Sequence, residues 1–149
     1  MNLFMNNLAE VKITYSCKIP ACDRIKIRCS QDADKALRLI WPSFEHREFF
    51  YIMLLNRSNQ ILGFSQISMG GISGTVTDVR IIFQTAIKGN ASGIILAHNH
   101  PSGNLSASEA DLVITKKIKE AGKLLDITLL DHMILTEESY LSMADDNLI

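Results

Sequence analysis

The sequence predicts an α/β or α+β domain in which a mixed sheet lies between helices. Three observations carry that reading. Extended and helical apolar patterns alternate along the chain, with no internal repeat or low-complexity tract between them. Two runs, Phe49 to Leu55 and residues 93–97, are apolar without interruption, as strands covered on both faces are. With 149 residues, 47% of them hydrophobic and 21% charged, the chain has the size and composition of one soluble domain with a substantial core.

The elements follow in order. Residues 1–10 carry little pattern and read as a frayed end or an interaction segment. Val11, Ile13 and Tyr15, then Ile25, Ile27 and Cys29, alternate with polar residues and predict two short strands around Pro20. Ser30 or Asp32 caps a helix through Ala33, Leu37 and Ile40 that Pro42 ends. The Phe49 to Leu55 run is a central strand. Asn56 to Asn59 is turn chemistry, and residues 61–68 return as its hairpin partner. The glycine-rich stretch 69–74 is a loop, and residues 75–79 form a further short strand or extended entry. Asp78 caps a helix whose apolar side is Ile81, Ile82, Thr85 and Ala86, and Gly89-Asn90 stops it. After the buried strand 93–98, Ser106-Ala107-Ser108-Glu109 matches a capping box that starts the next helix. Ala110, Ile114, Ile118 and Ala121 form that helix's core stripe, Lys116, Lys117, Lys119 and Lys123 its solvated face, and Gly122 its end. Residues 127–135 give the last strand and 137–144 a short terminal helix.

Charge and cysteine usage narrow the function classes. A net charge of −1 gives no global electrostatic case for nucleic acid or an anionic membrane. No run approaches the ~20 apolar residues that span a bilayer, and the first residues lack the pattern of a secretory leader. Cys17, Cys22 and Cys29 form no CxxC pair, so they read as free thiols in a reducing compartment. The expected location is the cytoplasm.

The chemistry concentrates at His98, Asn99, His100, Pro101, Ser102 and Gly103. Side chains two apart on a strand share a face, so His98 and His100 present their imidazoles to one point. Pro101 and Gly103 end the strand. The next helix carries Asp111, in its second turn if Ser106 is the cap. Two imidazoles and one carboxylate make a half-open tetrahedral zinc site with a position left for water. Ser108, three residues before Asp111, shares its helix face and supplies a hydroxyl to steady a developing oxyanion. Asp131 and His132 point to opposite faces of a strand, so at most one supports a ligand from behind. The structural alternative for each is an ordinary buried or surface role.

The spacing His98-x-His100-x10-Asp111, with Ser108 before the aspartate, resembles the JAMM (MPN-plus) zinc metalloprotease motif. More closely, the region from Arg47-Glu48 onward resembles the RadC family of JAB-domain proteins, through the His98 to Gly103 block and Leu130-Asp131-His132. The resemblance implies a cytidine-deaminase-like three-layer α/β/α sandwich. It divides the single domain 1–149 into a variable segment, 1–44, and a RadC-like core, 45–149. It implies a catalytic glutamate at the head of a strand that is not a ligand; Glu48 fits, with Glu45 as the alternative. That carboxylate would take a proton from water whose pKa the zinc lowers from 15.7 toward about 7. Longer RadC proteins add a helix-hairpin-helix-like region, which the first 45 residues here are too short to supply. The expected function is zinc-dependent amide-bond hydrolysis of a protein or peptide, using Zn2+ held by His98, His100 and Asp111. The rivals are a metal-dependent nuclease or DNA-processing accessory protein, and a non-catalytic module that zinc only stabilises. Oligomeric state is not read from the sequence.

Overall fold

The computed structural model describes residues 9–149 apart from 13, 15 and 71–75. The chain runs α1 (Ser30–Ile40), β1 (Phe49–Leu55), β2 (Ile61–Met69), α2 (Val79–Lys88), β3 (Gly93–Asn99), α3 (Glu109–Leu124), β4 (Thr128–Leu135) and β5 (Tyr140–Ser142). The strands form one mixed sheet in the order β2-β1-β3-β4-β5. Only β3 and β4 are parallel, joined through α3 as a parallel pair requires; the other neighbours are antiparallel.

The period-2 alternation of the central strands divides the core into two layers. Tyr51, Met53 and Leu55 of β1 and Ile95 and Ala97 of β3 pack with Ala33 and Leu37 of α1. Phe50, Ile52, Leu54, Ile94 and Leu96 pack instead with Ile82, Phe83 and Ala86 of α2 and Ile118 of α3. The result is the three-layer α/β/α sandwich. Apart from half-buried Phe49, both uninterrupted apolar runs are buried because both of their faces are covered.

Local signals explain most boundaries. Asn56 Oδ1 accepts the N–H groups of Ser58 and Gln60 at 3.0 and 2.9 Å, closing the β1–β2 turn. Asp78 caps α2 by accepting from the Arg80 N–H at 2.8 Å. Asn90, with φ of 56°, reverses the chain after Gly89. Trp41 is extended before Pro42, ending α1.

Several expectations change. Residues 1–8, Ile13, Tyr15 and 71–75, and with them the terminal segment, part of the first strand pattern and most of the glycine-rich loop, lie outside the described residues. Residues 76–78 form no strand, and of the two alternatives it is the extended entry that fits, with Asp78 extended ahead of α2; the Ile25 to Cys29 alternation yields a single bridge, Lys26 to Gln60. Two bonds, Ile27 N–H to Asn59 O and Ile61 N–H to Ile25 O, satisfy that short segment. The α1 cap position is Cys29, with no side-chain bond, while Asp32 accepts from the Arg28 N–H. On α2, Ile81 is exposed and Phe83 is buried, which rotates the apolar face by one residue. On α3, Ala110 is exposed, while Thr115 and Gly122 join Ile118 as buried residues. Residues 140–142 form β5 against β4 rather than part of a terminal helix, because the sheet edge supplies the pairing that a short isolated helix lacks.

Gly122 does not end α3, which continues to Leu124. A β-carbon there would overlap the Ile127 carbonyl oxygen, so the glycine lets the chain turn tightly onto α3 before β4. Gly122→Ala gains about 1 kcal/mol of helix propensity, but overlap with backbone cannot be relieved by rotating a side chain. A net loss of about 2 kcal/mol is expected, measured as a lower urea midpoint at unchanged m-value.

Candidate metal centre

β3 lies between β1 and β4, so its last residues are held on both sides. His98 pairs in register with Phe50 and with Ile134, and the His100 N–H donates to Leu135 O at 3.0 Å just past the strand end. The two imidazoles therefore meet on the face covered by α2 and α3, with Nε2 atoms 3.0 Å apart. Phe50 stacks on His98, its ring centroid 5.8 Å away and 5° from parallel. His100 Nδ1 is 2.7 Å from Asn104 O, which orients that ring from the loop side.

Asp111 arrives from the start of α3. The helix begins later than the Ser106 match predicts, because Ser108 is the N-cap and Asp111 its partner in a reciprocal capping box. The Ser108 N–H donates to Asp111 Oδ2 at 2.8 Å, and the Asp111 N–H donates to Ser108 Oγ at 3.1 Å. Asn104 takes up Ser106 instead, accepting its N–H and hydroxyl at 2.9 and 2.6 Å. Asp111 is thus in the first turn, and its carboxylate is fixed by its own cap. Its Oδ1 lies 3.2 Å from His98 Nε2 and its Oδ2 lies 3.7 Å from His100 Nε2.

One ligand atom from each of His98, His100 and Asp111 falls within 4.8 Å of the others, so the group could bind a metal ion. The electrostatics match that grouping. Burial opposes ionisation of Asp111, yet the bonds to His100 and His98 outweigh it and hold the carboxyl well below its usual range. Asp111 in turn raises the His100 pKa against the burial penalty, with a smaller upward pull from Glu48.

Glu48 directly precedes β1. It lines a cavity of about 160 Å³ together with Phe50, Thr77, His98, Ala110, Asp111 and Ile114. Glu45 lines a separate depression with His100, Ser102 and Glu137. Ser108 is exposed and lines neither. Glu48 is set in place by Asn99, whose side chain points to the opposite face of β3 from the histidines. Asn99 Oδ1 accepts the Phe49 N–H at 2.7 Å, and its Nδ2 donates to Arg47 O at 2.8 Å and Phe44 O at 3.2 Å. Both neighbours of Glu48 are bound by one fully buried amide. On the hairpin side, the Gly70 N–H donates to Glu48 O at 2.9 Å.

Asp131 and His132 separate as their strand position predicts. Asp131 accepts from the Ser142 hydroxyl at 2.6 Å and the Ala144 N–H at 3.0 Å, away from the histidines, and burial raises its pKa. His132 is fully buried behind His98, its Nε2 2.9 Å from His98 Nδ1. Burial pushes its pKa well below the usual imidazole value. The β3–β4 pairing decides which of the two comes forward. Ile94 pairs with Leu129 and Ile95 with Asp131, so Leu130 is a bulge that shifts the alternation by one. Thr115, Thr77 and Asn99 escape a sequence reading. Asn99 alone left a signal there, as the polar residue between two histidines at a buried strand end.

The family model described as RadC-like JAB domain matches residues 27–148, taking in α1 as well as the sheet. The chain is 46% identical, over 83% of its length, to a UPF0758 protein of Flavobacterium johnsoniae, 53% of which is covered. It is 38% identical over 90% of its length to a UPF0758 protein of Porphyromonas gingivalis, 60% of which is covered. A UPF0758 protein of Thermosynechococcus vestitus is 44% identical over 74% of this chain and 43% of its own. The chain spans about half the length of the curated relatives it matches. Among the described residues, no helix is long and apolar enough to cross a membrane, and Cys22 and Cys29 are free thiols.

Replacing Asn99 tests the clamp on the Glu48 segment. Asn99→Ala strands a buried N–H and two carbonyls, and a loss of about 3 kcal/mol is expected from the desolvation of unsatisfied groups. The measurement is the denaturant midpoint; a loss below about 1 kcal/mol would show that water replaces the amide without penalty.

Proposed function

The chain belongs to the RadC-like JAB domain family, and from that premise we propose that it is a zinc-dependent hydrolase cleaving amide bonds in a protein or peptide. The observation that carries this reading is the convergence of the His98, His100 and Asp111 donor atoms beside a cavity that Glu48 also lines. The family points to a metal-dependent hydrolase-type or a DNA-repair-associated role. Placement of Glu48 beside the donor group favours hydrolysis, and a net charge of −1 gives no help toward DNA.

The donor set fits the ion. Two imidazole nitrogens and one carboxylate oxygen are the donor types a half-open zinc site uses, and one such atom from each residue lies within 4.8 Å of the other two. His98 and His100 would contribute neutral nitrogens and Asp111 the one negative oxygen. A zinc ion held there would supply Lewis acidity, making hydroxide available near neutral pH and polarising a carbonyl.

The protein's own groups then handle the proton and the geometry. Glu48 takes a proton from the attacking water and returns it to the leaving amine, which is why its backbone is clamped on both sides. Ser108 uses one lone pair to accept the Asp111 N–H, so its own O–H remains a donor, which this reading aims at the developing oxyanion. Phe50 and Ile114 give the cavity apolar walls, which strengthen the electrostatics inside it.

Metal analysis and a single variant test the proposal. The purified protein should hold or take up one zinc per chain; no metal, and no uptake after zinc addition, overturns the ion assignment. Glu48→Gln should keep zinc and fold but lose hydrolysis of a peptide library by about 10²- to 10⁴-fold. Unchanged hydrolysis overturns the role of Glu48. Zinc-dependent cleavage of DNA, with salt-sensitive binding, would replace the amide with a phosphodiester.

A further inference from the structure

Behind the donor group lies a chain of buried polar atoms that the hydrolytic reading does not use. His132 and Thr115 are 0% and 1% exposed. His98 Nδ1 lies 2.9 Å from His132 Nε2, and His132 Nδ1 lies 2.5 Å from Thr115 Oγ1. The Thr115 hydroxyl donates to the Asp111 backbone carbonyl at 2.5 Å. The path therefore starts at one candidate ligand residue and ends on the backbone of another. Phe50 encloses it, stacked on His98 and edge-on to His132 with centroids 5.6 Å apart.

One premise sets every proton along it. If His98 binds an ion through Nε2, its neutral ring carries the proton on Nδ1. That N–H points at His132 Nε2, which must accept it. The His132 proton then sits on Nδ1 and faces Thr115 Oγ1, which accepts in turn and sends its own proton to Asp111 O. No atom in the series is left with two donors or two acceptors opposed. We propose that His132 and Thr115 are positioning residues that hold His98 as the Nδ1–H tautomer, with Nε2 directed at the ion, and tie that ring to the Asp111 backbone. The inference rests on the reading of His98, His100 and Asp111 as the ion site.

Three features argue against plain core filling. An apolar pair would fill this space without needing matched donors and acceptors. The β-bulge at Leu130 is what turns His132, rather than Asp131, toward His98. Thr115 sits one helical turn after Asp111, so its bond to the Asp111 carbonyl spans the turn that carries the ligand.

Two measurements on the full chain test the relay, with Zn2+ alone as the probe. In the zinc-loaded protein, nitrogen-15 NMR of the imidazoles should place a proton on Nδ1 and none on Nε2 in both His98 and His132. A protonated His132 Nε2 overturns the proposal without any variant. By chelator competition, Thr115→Val, which keeps the shape and removes the hydroxyl, should weaken zinc binding about 10- to 100-fold, and Thr115→Ser should restore it. Unchanged zinc affinity in Thr115→Val, even with a lower melting point of the metal-free protein, reduces the pair to a structural role and overturns the proposal. Failure of the unsubstituted protein to take up zinc overturns the ion reading and this inference together; uptake with either other failure overturns the relay alone.

Discussion

The two-sided burial of β3 is the constraint on which the rest of the site depends. A strand at the centre of a sheet must send alternate side chains into opposite layers, and a slip of one residue would exchange them. Here that rule sends His98 toward α3 and Asn99 toward α1. The same strand end thus presents an imidazole to the candidate ion site and uses the intervening amide to pin the segment that carries Glu48. Two functions that a loop would have to balance separately are set by one backbone register.

The start of α3 supplies the other half. A carboxylate in the first turn of a helix is favoured by the helix dipole and by the unpaired N–H groups there. Asp111 exploits this through its reciprocal bonds with Ser108, which leave its Oδ1 beside His98. The candidate ligand group is therefore ordered by ordinary helix-capping chemistry rather than by a dedicated scaffold. Gly122 lets the other end of α3 turn tightly into β4, whose bulge then brings His132 behind His98.

Much of the fold was legible because its signals are local. The uninterrupted apolar runs, the Asn56 turn, the Asp78 cap and Pro42 each act within a few residues, and each produced the element it predicts. The failures share a cause. Ser106 and Ser108 both match a cap pattern locally, and only the downstream position of Asp111 against the histidines selects the second. Residues 140–142 have weak local preference, and the free edge of β4 decided it in favour of a strand. On α2, the choice between Ile81 and Phe83 follows from how the helix is rotated on the sheet.

By itself, the sequence determined the layered α/β class, the central strands and the set His98, His100 and Asp111, because strand periodicity and a short loop into a helix leave little freedom in how those residues meet. Tertiary structure alone decided which residues stand behind them. Whether Asp131 or His132 faces His98 turns on a single skipped residue in a pairing between strands distant in the chain, and no local pattern encodes a bulge at Leu130. Thr115 and Asn99 owe their parts to the same long-range register, which exists only once β1, β3 and β4 lie side by side.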